Sequence, residues 1–245
     1  MAVPPAAPPT QPAPRRVIAV LGMHRSGTSW LAGSLEQLGV ELGEVSTSDP
    51  HNRRGNRESP ELMALHDAVL RGSGGSWKRP PRRVRWTPEQ TAALRGHVER
   101  MDAAFAVWGF KDPRALLAFD AWRAAVPHIR SVGIYRHPLA VHRSLSARSE
   151  RFDRRRSVRL WNAYNKRLVA EHRRAPFPLL RFDVPPEDLD AQLRAAAHAL
   201  GLTIADADAT FFEEGLVHNN DAAEAAVPWT SRRLWGYLQE HRIRP

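Results

Sequence analysis

Residues 17 to 30 read Val-Ile-Ala-Val-Leu-Gly-Met-His-Arg-Ser-Gly-Thr-Ser-Trp. A short apolar run ending in glycine is the pattern of a central parallel strand, because both faces of such a strand are covered. The glycine-rich stretch behind it is a phosphate-loop turn with one departure. In the pattern G-x-x-x-x-G-K-[ST], the Lys reaches the β and γ phosphates of a nucleotide. Here Gly22 and Gly27 hold the glycine positions and Ser29 the hydroxyl position, but Thr28 replaces the Lys and a cation comes earlier, at Arg25. Backbone N–H groups at such a turn and at the following helix N-terminus still point at an anion. The loop therefore predicts an anion site, and the missing Lys changes which anion it takes and with what help from metal.

Working outward, strands and helices alternate. Thr28 to Leu38 is a predicted helix, with Leu31, Leu35 and Leu38 on one face. Gly43 to Arg57 is polar, contains Pro50 and Gly55, and reads as a long loop of the kind that is usually functional or disordered. Ser59-Pro60 opens a helix whose Leu62, Leu65 and Val69 face inward. Gly72 to Trp86 is a second irregular stretch, carrying Trp77 and Trp86, and Thr87-Pro88-Glu89-Gln90 is a capping box. Further strands are expected at Ala106 to Phe110, Ile129 to Tyr135 and Phe177 to Phe182. Helices are expected around Leu116, Phe119 and Trp122, over Arg154 to Arg173, and over Leu189 to Leu200. The last thirty residues show no clear periodicity. The alternation predicts an α/β fold in three layers, α/β/α, around a central parallel sheet.

Composition bounds the setting. At 245 residues the chain suits one sizeable domain, expected over 15–245. The first fourteen residues are rich in Pro and Ala and read as a disordered leader rather than a signal peptide. The net charge of +10 suits an anionic ligand, nucleic acid or an acidic surface without choosing among them. No basic-aromatic strip or nucleic-acid motif supports the second of these. The lack of Cys excludes disulfides, cysteine metal sites and a thiol nucleophile. With no apolar run of about 18 residues, no membrane insertion is expected, and a cytoplasmic protein is the default.

Two further motifs fall just beyond strand C-terminal ends, where parallel-sheet enzymes place their chemistry. Trp108-Gly109-Phe110-Lys111-Asp112-Pro113-Arg114 puts Lys111 at one such end. Ile134-Tyr135-Arg136-His137-Pro138 puts Arg136 at another, with Ser144 in the helix that follows. A strand end and a helix entrance are neighbours, so Arg136 and Ser144 can converge on one phosphate.

Together these segments resemble the sulfotransferase family, whose donor is 3′-phosphoadenosine 5′-phosphosulfate (PAPS). His24-Arg25-Ser26-Gly27-Thr28-Ser29 looks like the family's 5′-phosphosulfate loop, and Arg136 with Ser144 matches its 3′-phosphate pair. Lys111-Asp112-Pro113-Arg114 and Asn52-Arg53-Arg54-Gly55-Asn56-Arg57-Glu58 are closer to bacterial members and to the tyrosylprotein and carbohydrate branches. The likeness reaches to Arg181-Phe182-Asp183, a further strand end. It implies the P-loop-like sulfotransferase fold and a metal-independent transfer of a sulfuryl group to a hydroxyl or amine of a small-molecule or carbohydrate acceptor, with 3′,5′-adenosine bisphosphate as product.

By that resemblance Arg25, Ser26, Gly27, Thr28 and Ser29 hold the 5′-phosphosulfate, Arg25 standing where many members have Lys. Arg136 and Ser144 hold the 3′-phosphate, and Trp30 matches an aromatic that stacks on adenine, though its helix position equally suits the core. Lys111 is the expected stabiliser of charge on the bridging oxygen, and Glu58 the expected general base; its place before Ser59-Pro60 also suits a helix N-terminus. Arg57 departs from the family loop, which commonly has an aromatic there. The alternative is a P-loop kinase or NTPase, which Thr28 disfavours, as does the want of an apolar strand ending in a clear magnesium-binding Asp.

Overall fold

The computed structural model describes residues 15–46, 55–204 and 226–244. The expected leader at 1–14 and the middle of the first long loop lie outside these residues. Strand β1 (Arg16–Gly22) runs into helix α1 (Thr28–Gln37), and α2 (Pro60–Gly72) and α3 (Pro88–Ala104) precede β2 (Val107–Lys111). A 3-10 turn (Pro113–Ala118) and α4 (Phe119–Ala125) lead to β3 (Arg130–Tyr135), followed by α5 (Pro138–Ser146) and α6 (Arg154–Arg174). Strand β4 (Leu179–Arg181), α7 (Pro186–Ala199) and α8 (Arg232–Glu240) complete the described chain.

The four strands are parallel in the order β2-β1-β3-β4. Strand alternation sorts β1 between two cores. Val17, Ala19 and Leu21 join the larger core, against α2 to α6 and α8; Ile18 and Val20 join the smaller, against α1 and α7. This is the three-layer α/β/α architecture expected from the alternation. Because β2 and β3 lie on opposite sides of β1, the chain reverses direction across the sheet there. The crevice at such a switch point, beyond the strand C-termini, is where open α/β sheets bind ligands. No helix among the described residues is long and apolar enough to cross a membrane.

Local signals set most boundaries. The Thr87 capping box forms as written, with Gln90 N donating to Thr87 Oγ1 at 3.2 Å and Thr87 N to Gln90 Oε1 at 2.9 Å. Three expectations are corrected. Ser59 sits at the N-cap of α2, but its hydroxyl makes no capping bond. Strand β4 is three residues, not six, because Pro176 and Pro178 cannot donate to a ladder and pairing with β3 begins at Leu179. The last thirty residues contain α8, which periodicity did not reveal. Leu238 on it is fully buried, and Leu234, Trp235 and Tyr237 pack beside it against the larger core, so this nine-residue helix is held by docking one apolar face. That docking centres on Tyr135, whose buried hydroxyl bonds Leu238 O at 3.0 Å and Gln239 Oε1 at 2.8 Å, while Trp235 packs edge-on to the Tyr135 ring. Tyr135→Phe removes these bonds from a buried site and is expected to lower unfolding free energy by about 1–2 kcal/mol in urea titrations.

Candidate active site

The phosphate loop is shaped by backbone as much as by side chains. Gly27, the N-cap of α1, has φ of 90°, and a Cβ there would lie 2.2 Å from the Phe182 ring, so glycine is required twice over. Arg25 also adopts a positive φ, 67°, a strained conformation for a side-chain-bearing residue that is often held at functional sites. The N-terminus of α1 has no side-chain cap, and the Ser26 hydroxyl is buried without a hydrogen-bond partner. Unpartnered donors and an uncapped helix start at one place fit an anion.

The structure joins this loop to the β3–α5 motif. Arg25 Nε donates to Ser144 Oγ at 2.8 Å across 119 residues. Arg136 is buried, its guanidinium 5.4 Å from the centroid of Phe182. Burial lowers its pKa, opposed by the nearby Asp183 carboxylate, but a guanidinium starts so high that it stays charged. Asp183 in turn accepts from His137 N at 3.0 Å, fixing the turn from β3 into α5. Ser144 is engaged by Arg25, and Arg136 lies over Phe182. Trp30 is packed into the smaller core, tilted against Phe182 at 6.1 Å.

The strand-end Lys and the loop carboxylate meet directly. Lys111 Nζ donates to Glu58 Oε1 at 2.7 Å, and Arg114 Nη1 to Glu58 Oε2 at 3.1 Å; both side chains of the Lys–Glu pair are almost fully buried. Burial lowers the Lys111 pKa, and Glu58 opposes it. Glu58 is aimed inward by its neighbour. Arg57, at φ 51°, turns back across α1 over Gly33 and pairs with Glu36, while Ser46 exchanges backbone hydrogen bonds with Arg57 and Glu58. Arg57 and Glu36 thus form an ionic clamp between this loop and α1. Ser29 Oγ adds a bond to Asn56 O at 3.2 Å.

Behind the pair lies a buried network that the sequence reading did not assign. Asp112 accepts from His66 Nδ1 at 2.8 Å, from Arg114 N and from Arg114 Nη1, both at 2.9 Å; Arg114 Nε also donates to Asp67. His66 Nε2 accepts from Trp122 Nε1 at 2.9 Å, which fixes its tautomer with the proton on Nδ1 if the ring is neutral. Burial raises the Asp112 pKa, but His66 and Arg114 outweigh it and hold the carboxyl well below its ordinary range. Burial likewise works against Arg114, and Asp112, Glu58 and Asp67 reverse it. The signal available was the quoted Lys-Asp-Pro-Arg motif; His66 lay unmarked in a helical pattern.

Among the described residues, a cleft of about 300 Å³ is lined by Arg25, Thr28 and Ser29 together with Trp77, Lys78, Arg148 and Phe152. Glu58, Lys111 and Arg114 also line it. His24 sits between the Trp77 and Tyr164 rings, 4.5 and 5.8 Å away, partly exposed at one edge but with Nε2 buried and unpartnered. Burial first, then Arg114, pushes its pKa down to about 3.

No protein-family model matches the chain, and no curated protein does. Among solved structures the chain is similar to the sulfotransferase domain of the Synechococcus PCC 7002 olefin synthase, with a TM-score of 0.54. Identity is 16%, over 97% of this chain and 98% of that one. The chain has the sulfotransferase fold. Arg25, Thr28 and Ser29 of the loop, Lys111 at the β2 end and Leu145 near the end of α5 line one cleft.

Two stability predictions follow from the geometry. Asp112→Asn strips His66 and Arg114 of a buried carboxylate and is expected to cost about 3–5 kcal/mol in urea unfolding at pH 7. His24 binds its proton more readily in the unfolded chain than in the folded one. Its contribution is therefore complete above pH 6.5 and is lost progressively as pH falls toward about 3. Between pH 7 and 4, the wild type should lose up to about 3 kcal/mol more stability than His24→Gln, measured by urea titration at both pH values.

Proposed function

We propose that this protein is a sulfotransferase that moves the sulfuryl group of PAPS to a hydroxyl or amine of a small-molecule or carbohydrate acceptor. One observation carries the reading: a buried Lys at the end of β2, paired with a loop carboxylate, opens onto the same cleft as a phosphate loop without its own Lys. The chemistry is an in-line displacement. The acceptor oxygen or nitrogen forms a bond to sulfur as the bond between sulfur and the bridging oxygen breaks, releasing the bisphosphate.

In this reading the Arg25 to Ser29 loop and the uncapped start of α1 bind the 5′-phosphosulfate. Arg25 brings a planar fork of donors where Lys would bring a point charge. Arg136 and Ser144 serve the 3′-phosphate. Lys111 donates a hydrogen bond to the bridging oxygen, where charge develops, and Glu58 takes the acceptor proton. Because these two side chains pair with each other, substrates entering between them must part the pair, and each then finds its partner in the reacting atoms. Arg114 keeps its hold on Glu58 and prevents it from swinging away.

The NTPase reading asks for a carboxylate free to take magnesium after an apolar strand. Asp112 follows β2 but is committed to His66 and Arg114. In thermal-shift measurements, 3′,5′-adenosine bisphosphate is expected to stabilise the protein, and ATP with Mg²⁺ to do so much less; the reverse ranking would sink the proposal. Lys111→Ala is expected to lower turnover by about 10²–10³-fold and Glu58→Gln by about 10²–10⁴-fold, with the bisphosphate still bound. Full activity in Glu58→Gln would remove it as the base.

A further inference from the structure

The displacement makes no use of His24, although this residue stands in the phosphate loop and lines the cleft with Lys111 and Glu58. Its backbone is set by a tight turn. Ser26 N donates to Met23 O at 3.2 Å, which puts His24 and Arg25 at the two central positions, the second at φ 67°. Its ring is set by two others: Trp77 lies 4.5 Å away, and Tyr164 meets it edge-on at 5.8 Å. These two are themselves joined, Tyr164 Oη donating to Trp77 O at 3.3 Å. The imidazole is thus fixed by shape before any ligand arrives, as a group that acts on a ligand needs to be.

Such a ring can take a proton or donate a hydrogen bond, and the surroundings decide between the two. Burial first, then Arg114, with Lys111 and Arg25 behind it, opposes protonation; Asp112 works the other way without reversing it. The ring is therefore uncharged at pH 7 and a poor base, which leaves the acceptor proton to Glu58. A neutral imidazole carries one N–H. Nε2 is buried with no hydrogen-bond partner, and Nδ1 is not enclosed in this way. An enclosed N–H that meets no acceptor is costly, so the proton belongs on Nδ1. A neutral donor in a phosphate loop suits an oxygen that only accepts.

Resting on the sulfotransferase reading, we propose that His24 is a sulfuryl-binding residue, whose Nδ1–H donates to a non-bridging oxygen of the sulfuryl group in PAPS. These oxygens stay on the same sulfur throughout, and the charge that develops falls on the bridging oxygen, where Lys111 stands. A cation on the sulfuryl oxygens would favour the bound donor as much as the transfer; a neutral N–H orients the group for in-line attack without anchoring it. No proton moves to or from His24. Glu58 takes the acceptor proton as the bond from acceptor to sulfur forms and the sulfur–bridging-oxygen bond breaks.

The test uses two ligands that differ only by the sulfuryl group, PAPS and 3′,5′-adenosine bisphosphate, in calorimetric titrations of the full chain. In His24→Phe, which keeps a flat ring between Trp77 and Tyr164, the Kd for PAPS is expected to rise about tenfold and the Kd for the bisphosphate to stay within about twofold. His24→Asn, whose amide supplies an N–H, is expected to regain part of the loss. The gap between wild type and His24→Phe for PAPS is expected to be the same at pH 8 and pH 6, because the donor is the neutral ring. His24→Leu repeats the measurement with a smaller side chain. An unchanged Kd for PAPS in His24→Phe, or a gap that widens at pH 6, overturns the inference. Equal losses for both ligands in the Phe and Leu variants alike assign the ring to the shape of the loop and also overturn it. Each of these results, with the wild type still binding the bisphosphate, spares the donor site. Failure of the wild type to bind the bisphosphate overturns the sulfotransferase reading beneath it.

Discussion

The buried pair between Lys111 and Glu58 joins two parts of the chain far apart in sequence: the end of a central strand and the last residue of a long polar loop. Removing both charges from water is costly, and the mutual attraction repays that cost only where further hydrogen bonds complete the arrangement. Here Arg114 takes the second oxygen of Glu58, Asp112 and Asp67 take Arg114, and His66 takes Asp112. Each charge is satisfied by the next, so the network tolerates burial and holds its members in one geometry. A weakly satisfied version would move its protons or let water in.

That rigidity bears on chemistry. Catalytic groups act best when their positions are set before the reaction begins, because no reorganisation is then required as charge develops. The loop carrying Glu58 is fixed from both sides, by the Arg57–Glu36 clamp on α1 and by the backbone bonds to Ser46. The positive φ at Arg57 is part of the same device: it turns one residue outward to α1 and the next inward to Lys111. On the other side, Arg25 ties the phosphate loop to α5 through Ser144. Three segments far apart in sequence thus share one cleft.

Much of the fold was legible in the sequence because local physics wrote it. The apolar β1 run, the Thr87 capping box and the glycines of the phosphate loop act over a few residues, and the structure keeps them all. Helix α8 was not read from the sequence because nine residues are too few to hold a helix alone, and it is docked onto Tyr135 through Trp235 and Leu238. Strand β4 was overestimated where two prolines remove ladder donors. In the site, Arg25, Lys111, Glu58, Arg136 and Ser144 could each be picked out by type and spacing. Their pairing could not, since an ion pair over 53 residues leaves no local trace.

By itself, then, the sequence determined the alternating α/β architecture, the glycine-rich turn between β1 and α1 and the absence of a Lys at Thr28. These follow from side-chain periodicity and backbone conformation, which are properties of short segments. Only the tertiary structure decided that Lys111 faces Glu58, that Arg25 holds Ser144 and that Trp30 lies in a core. Those outcomes depend on which buried charges find partners, and that is settled only when the whole chain has packed.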